Sequence, residues 1–111
     1  MKQGTIWLVR YDPSVGHEFQ KTRPAVIVFS NLSLRYSKLV TVMAIASGFS
    51  SGLADNIGIV KNNLNKLIID STINVCHISS FDERRFIKKI GEVDNSILSE
   101  IKIYLKKHFD I

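Results

Sequence analysis

The chain has 111 residues, 45% of them hydrophobic and 23% charged, a balance that excludes general disorder and fits one compact domain over 1–111. A domain of this length buries roughly 65% of its unfolded surface, and its one cysteine, Cys76, excludes an internal disulfide and a multi-cysteine zinc site. Fifteen Lys and Arg against ten Asp and Glu give a net charge of +5, which suits an anionic partner, although charge does not separate nucleic acid from an acidic protein or a membrane surface.

The first residues do not read as a signal peptide, because the apolar stretch after Gly4 is short and ends at Arg10 and Asp12. No apolar run approaches the ~20 residues that span a bilayer. A cytoplasmic, reducing setting is the expectation.

Strand signals fill most of the first 80 residues. The first strand is predicted over 5–11, with Ile6, Trp7, Leu8 and Val9, and stops at Asp12-Pro13. A loop comes next, in which Gly16 is free to take positive φ. Residues 25–29 form a continuous apolar run, read as a strand buried on both faces, and 39–45 form another. The stretch 47–52 is small, polar and loop-like; 57–60 and 67–69 are shorter strand candidates, separated by the turn cluster Asn62-Asn63-Leu64-Asn65. In a strand over 73–78, Ile73, Val75 and His77 would face one way and Asn74, Cys76 and Ile78 the other.

Helical signals gather at the end. Ser80-Phe81-Asp82-Glu83 has capping-box spacing and opens a short predicted helix. Residues 86–93 return to strand, with Gly91 near its end. Asp94 is a candidate N-cap, and Ile97, Leu98, Ile101, Tyr104, Leu105 and His108 come after it at helical spacing. Lys102, Lys106 and Lys107 occupy the other face and the C-terminal end, where they complement the helix dipole. Five to seven short strands and one closing helix make a small, mostly β barrel or sandwich, with the helix plugging one side.

Polar chemistry concentrates between Gly16 and Pro24, where His17, Glu18, Gln20, Lys21, Thr22 and Arg23 stand between two strands. Pro24 biases Arg23 towards extended backbone at the mouth of the most apolar strand. There its guanidinium fork either grips a phosphate or pairs with a neighbouring carboxylate. His17 is the acid–base candidate by type, or an ordinary loop histidine. Ser47, after Ala46 at a strand end, either contacts a phosphate or satisfies its own turn.

Adjacent on one strand, Cys76 and His77 point to opposite faces and form no dyad, which makes Cys76 an expected core residue. His77 either lines a groove or sits at an edge. No metal or cofactor is expected: three scattered histidines and one cysteine lack ligand spacing. Gly48 and Gly52 lack the lysine of a phosphate-binding loop.

Gly4-Thr-Ile-Trp-Leu-Val-Arg-Tyr-Asp-Pro-Ser-Val-Gly-His-Glu18, with Lys21-Thr-Arg-Pro-Ala-Val-Ile-Val28, resembles the MazF/PemK toxins, and the Gly-His-Glu turn resembles their PemK (Kid) branch. Thr41-Val-Met-Ala-Ile-Ala-Ser-Gly48 looks like the family's strand ending in a hydroxyl pair, and Ile87-Lys-Lys-Ile-Gly-Glu-Val93 with the last helix matches its C-terminal end. The resemblance implies an SH3-like barrel of the MazF/PemK/CcdB type, a homodimer, and the toxin role in a type II toxin–antitoxin pair. It implies metal-independent cleavage of single-stranded RNA by 2′-hydroxyl attack, and a cognate antitoxin that occludes the RNA groove. Carried over residue by residue, Arg23 would stabilise the phosphate, His17 would shuttle a proton and Ser47 would contact the scissile phosphate; His77, which matches no family residue, is a further catalytic candidate. Candidate substrate contacts are Glu18, Lys21, Gly48, Phe49 and Asn74.

The chain departs from the family pattern at several positions. Ala46 replaces the first hydroxyl, Cys76 the usual carboxylate and Ser79 an arginine, and Asn74 stands nearest to an arginine of the PemK branch. Losing one proton-transfer group typically costs ~10²–10⁴-fold in rate. The alternatives are a toxin-fold module that binds RNA or antitoxin without cutting, and a CcdB-like gyrase poison. The latter depends on a C-terminal tryptophan, whereas the one tryptophan here is Trp7. Lys21, Arg23, Lys61 and Lys66 are candidate phosphate contacts, and Phe49 is either a stacking platform or a partly buried loop residue. Arg84, Arg85, Lys88 and Lys89 form the densest basic run and read as ordinary solvated charges.

Overall fold

A computed structural model of the chain describes residues 1–11, 22–49 and 55–111. Six strands, β1 (Thr5–Arg10), β2 (Thr22–Ile27), β3 (Leu39–Ser47), β4 (Ile57–Ile59), β5 (Ser71–Asp82) and β6 (Phe86–Glu92), form one antiparallel sheet in the order β4-β5-β3-β2-β1-β6. A short helix α1 (Asn31–Leu34) joins β2 to β3, and α2 (Asn95–Phe109) ends the chain.

Each face of the curled sheet has its own core, because the central strands are apolar at successive positions. On the first face, Ile6 opposes Val26, and Val26 opposes Met43. These pack with Ile45, Ile73 and Ile57, and α2 covers them with Ile101 and Tyr104. On the second face Val9, Ala25, Ile27, Val40, Val42 and Phe86 pack together, flanked by Trp7, Tyr11 and Phe81. Each fully buried Val or Ile contributes about 1.5–3 kcal/mol from the area removed from water.

The helix forms where its spacing predicts. The Asp94 carboxylate accepts from the Ile97 amide at 2.9 Å and the Ser96 hydroxyl at 2.8 Å. Those bonds, the Ile97 amide first, hold the Asp94 carboxyl below the usual carboxylate range.

Four expectations change. The apolar run 67–69 is not a strand, and Ile68 is 93% exposed. The buried Asn65 side chain captures this loop: its Oδ1 accepts from the Asn62 and Leu67 amides at 3.0 Å, and its Nδ2 donates to the Val60 carbonyl at 2.9 Å. The Leu67 amide is thereby used by a side chain instead of a ladder. Next, β5 is longer than 73–78 and runs on to Asp82, so the capping residue is Asp82, and it opens a single 3-10 turn over Glu83–Arg85 in place of a helix. Helix α1, capped by Ser30, was not foreseen.

The last change concerns the alternation in β5. Met43 pairs with Ile78 but the next residue, Ala44, pairs with Asn74, so Val75, Cys76 and His77 bulge from the ladder. Val75 is buried, and His77 does not share its burial. Cys76, expected in the core, is exposed and lies 3.3 Å from the Tyr104 hydroxyl. The ladder itself does not close into a barrel, since β4 and β6 are its two edges. The loop after β4 spans that gap, where the Glu92 amide donates to the Leu64 carbonyl at 3.1 Å.

Candidate active site

Arg23 enters β2 opposite Val9, and strand alternation puts it on the same face as Ala25. Ala25 pairs with Ala44, Ala44 with Asn74, and Ala46 with Thr72. One face of three neighbouring strands therefore carries the half-buried Arg23, three alanines and two hydrogen-bonding side chains. The alanines leave this stretch shallow, with no bulky side chain between Arg23 and Asn74 along the register. Asn56 steadies Asn74, donating from Nδ2 to its Oδ1 at 3.3 Å while accepting from the Val75 amide at 3.3 Å.

Phe49 belongs to the same face. Its ring lies over Gly58, where a β-carbon would stand 3.3 Å from the ring edge, and Gly58 pairs with Thr72. Gly48 makes this possible with φ of 81°, a conformation costly for other residues. The Gly48 amide donates to the Asp70 carbonyl at 2.8 Å, and its carbonyl accepts from Thr72 Oγ1 at 2.7 Å. So Phe49 is 62% exposed, beside a Gly48 whose amide and carbonyl are both held, and is not a partly buried loop residue.

Tyr11 closes the Arg23 end. Its ring packs edge-on against Phe81 with centroids 4.7 Å apart, and Arg85 sits 5.9 Å above the Phe81 ring. The Tyr11 hydroxyl is buried with no hydrogen-bond partner among the described residues. Burial raises its pKa to about 12, partly offset by the Arg23 charge. Tyr11, Thr72 and Asn56 were not singled out from the sequence. The alternation from Arg23 through Ala25 hints at the face, but finding Thr72 needs the pairing of β3 with β5.

Ser47 is not brought to this face. It lies on the Ile45 side by alternation, pairs with Ser71, and lines a cavity of about 690 Å³ with Leu8, Pro24, Lys66, Lys88 and Ile90. Lys66, a candidate phosphate contact, thus lines the cavity, as do Lys88 and Lys89. Lys61 is exposed, and its amide donates to Asp70 Oδ1 at 3.0 Å. Arg84 pairs with Asp82 at 2.9 Å and holds that carboxyl below the usual carboxylate range through its hydrogen bonds. His77 is exposed in the β5 bulge. His17, Glu18 and Lys21 lie outside the described residues.

Among the described residues, no group of three His, Cys, Asp or Glu side chains is placed to hold a metal ion, and no helix is long and apolar enough to cross a membrane.

The sequence model of the PemK-like, MazF-like toxins of type II toxin–antitoxin systems matches residues 2–109. An endoribonuclease PemK of Escherichia coli is 32% identical over 108 residues, covering 91% of this chain and 76% of the relative. An endoribonuclease MazF of Staphylococcus epidermidis is 27% identical over 101 residues, covering 91% and 84%. Among solved structures, MazF from Deinococcus radiodurans superposes with a TM-score of 0.78 at 19% identity, covering 100% of this chain and 97% of that one. A MazE–MazF structure from the same organism gives 0.79 at 19% identity, covering 100% and 96%. At such identities the superpositions speak for the fold.

Proposed function

The chain belongs to the PemK-like, MazF-like toxin family of type II toxin–antitoxin systems, and from that premise we propose that it is an endoribonuclease that cuts single-stranded RNA. The observation that carries this reading is the grouping of Arg23, Asn74 and Phe49 on one face, in a chain whose relatives are named endoribonucleases.

The chemistry is 2′-hydroxyl attack on the adjacent phosphate, leaving a 2′,3′-cyclic phosphate and a 5′-hydroxyl end. Arg23 meets the charge that develops on the phosphorane, from a half-buried position where its field is less screened than in open water. Asn74 contributes an amide on the same face, from β5 on the far side of Ala44. Phe49 offers a flat surface on which an unstacked base settles. His17 is the proposed proton carrier, with His77 in the bulge as a second candidate. Ser47 takes no part in this phosphate-binding set, since it lies on the cavity face. The partners proposed are RNA, a cognate antitoxin and a second copy of the chain, in the cytoplasm where RNA is met.

One observation favours a second reading, RNA or antitoxin binding without cleavage. Cys76, at the family's carboxylate position, is turned to Tyr104 of α2, which packs on the first core and not on the Arg23 face. The experiment is incubation of the purified, antitoxin-free protein with a long single-stranded RNA in EDTA, beside Arg23→Ala and His17→Ala, and then mapping of the ends. Discrete cuts with 5′-hydroxyl ends, lost in the variants, support the nuclease. RNA retention without cuts supports the binding module.

A further inference from the structure

Three basic side chains around the sheet are paired: Arg84 with Asp82, Lys89 with Glu92 and Lys107 with Asp55. Arg85 is not, and it is half-buried, unlike the ordinary solvated charge that its sequence context suggests. Its guanidinium lies 5.9 Å over the Phe81 ring, and Nη1 donates to the Arg10 carbonyl at 3.2 Å. These contacts hold the group in place and leave most of its five N–H donors unused. Register brings it to the Arg23 end of the sheet. Val9 opposes Arg23 on one side and Phe86 on the other, and Arg85 immediately precedes Phe86. The two arginines therefore stand about two strand spacings apart, or roughly 10 Å. Tyr11 links them, since its ring packs on the same Phe81 that Arg85 covers and its hydroxyl feels the Arg23 charge.

Neither Arg23 nor Arg85 has a carboxylate partner among the described residues. The Tyr11 hydroxyl, buried beside them, has no acceptor among those residues either. Two half-buried guanidiniums repel each other more strongly than two in open water, and a bound anion removes that repulsion. We propose that Arg85 grips a second phosphate of the RNA strand, next to the one that Arg23 meets. The proposal rests on the RNA reading above and extends it. The strand crosses the sheet from Phe49 on the β4 side, over Asn74 and Arg23, to Arg85 on the β6 side. The guanidinium fork offers two parallel N–H bonds to the phosphate oxygens. That phosphate does not react, so the contact is the same before and during cleavage. It strengthens binding and sets which bond lies at Arg23, while the barrier itself is left to Arg23 and its neighbours.

The test is fluorescence anisotropy with a single-stranded RNA made uncleavable by 2′-deoxy substitution, titrated at several salt concentrations. Each phosphate contact on a single strand contributes about 0.7 to the slope of log affinity against log salt. Arg85→Gln is expected to bind several-fold more weakly, whatever the RNA sequence, with that slope lowered by about 0.7. Arg85→Met keeps the aliphatic packing on Phe81 and gives the same reading if Arg85→Gln fails to fold. Lys102→Gln, the same charge change on the exposed side of α2, should match the wild type. Single-turnover cleavage then separates the roles. The Arg85→Gln loss lies mainly in the half-saturating protein concentration, whereas the Arg23→Ala loss lies in the saturated rate. A folded Arg85 variant whose slope and affinity move no more than those of Lys102→Gln overturns the proposal and leaves the nuclease reading standing. RNA neither bound nor cut by the wild type overturns the nuclease reading, and this proposal with it.

Discussion

Gly91 of β6 lies so close beneath Asn65 that a β-carbon there would stand 2.6 Å from the Leu64 carbonyl oxygen and overlap the Asn65 carbonyl. The gap between β4 and β6 is spanned by this contact, with the Asn65 side chain organising the loop from within. Gly91→Ala must push the loop away or bend β6, at a cost of about 1–3 kcal/mol by analogy with overpacked cores. Asn65→Ala removes the side-chain bonds to the Asn62 and Leu67 amides and the Val60 carbonyl, at about 0.5–1.5 kcal/mol for each. Urea unfolding monitored by circular dichroism measures both losses.

Asp94 sets the start of α2, and Asp94→Ala should cost about 1 kcal/mol, the usual value of a side-chain cap. The cost depends on pH. Because the Ile97 amide and Ser96 hydroxyl depress the folded-state pKa of Asp94, its contribution is present above the unfolded value near 3.9 and is lost as pH falls through the lower, folded value. The stability gap between the wild type and Asp94→Ala is therefore expected to be constant from pH 7 to pH 5 and to narrow below about pH 4. Thermal melts across that range give the gap directly.

What could be read from the sequence divides along physical lines. Helix α2 was legible because Ile97, Ile101 and Tyr104 repeat with the helical period and Asp94 caps them, both local properties. The central strands were legible as apolar runs. The β5 bulge was not, because alternation assumes one residue per rung, and only the pairing with Met43 and Ala44 reveals three extra residues. That one irregularity moved Cys76 from expected core to solvent. The run 67–69 misled for a related reason: it is apolar, but Asn65 had already claimed the Leu67 amide. Arg23 stood out through its Arg-Pro context. Its neighbours Asn74 and Thr72 lie 51 and 49 residues further along the chain, and only register joins them.

Tyr11 and Tyr104 each have a pKa raised to about 12, Tyr11 by burial and Tyr104 by its contact with Cys76 and then by burial. Both hydroxyls stay protonated in the fold after an unfolded tyrosine would ionise near pH 10. The stability this gives is complete below pH 10 and is lost as pH rises towards 12. Alkaline titration monitored by tyrosinate absorbance should therefore show two of the three tyrosines ionising late, together with unfolding. Tyr11→Phe removes a buried hydroxyl that has no partner among the described residues, and is expected to keep or raise stability at pH 7, as deletion of an unsatisfied polar group does.

Phe49 is exposed over Gly58, so Phe49→Ala should leave the melting temperature nearly unchanged. If a base stacks on it, the same variant weakens binding of a short single-stranded RNA by about 1–3 kcal/mol, or roughly 5- to 150-fold. Fluorescence anisotropy on an RNA made uncleavable by 2′-deoxy substitution measures binding apart from cutting. An unaltered affinity would remove Phe49 from the site.

Arg23, Asn74 and Ser47 together test which face does the chemistry. Arg23 and Asn74 share a face across β2, β3 and β5, and Ser47 lines the cavity on the other. Loss of one donor to a developing phosphorane costs about 10²–10³-fold in rate. Arg23→Ala should fall by that amount, and Arg23→Lys should recover part of it, keeping the charge without the planar fork. Asn74→Ala should lose activity in the same direction, since an amide on the Arg23 face is gone, while the fold survives because the position is only half-buried. Ser47→Ala should cut RNA at nearly the wild-type rate. Single-turnover cleavage of one defined RNA ranks the four variants. A Ser47→Ala defect as deep as that of Arg23→Ala would mean that RNA crosses the strand end and enters the cavity, and that the lysines lining it, Lys66, Lys88 and Lys89, carry the phosphates.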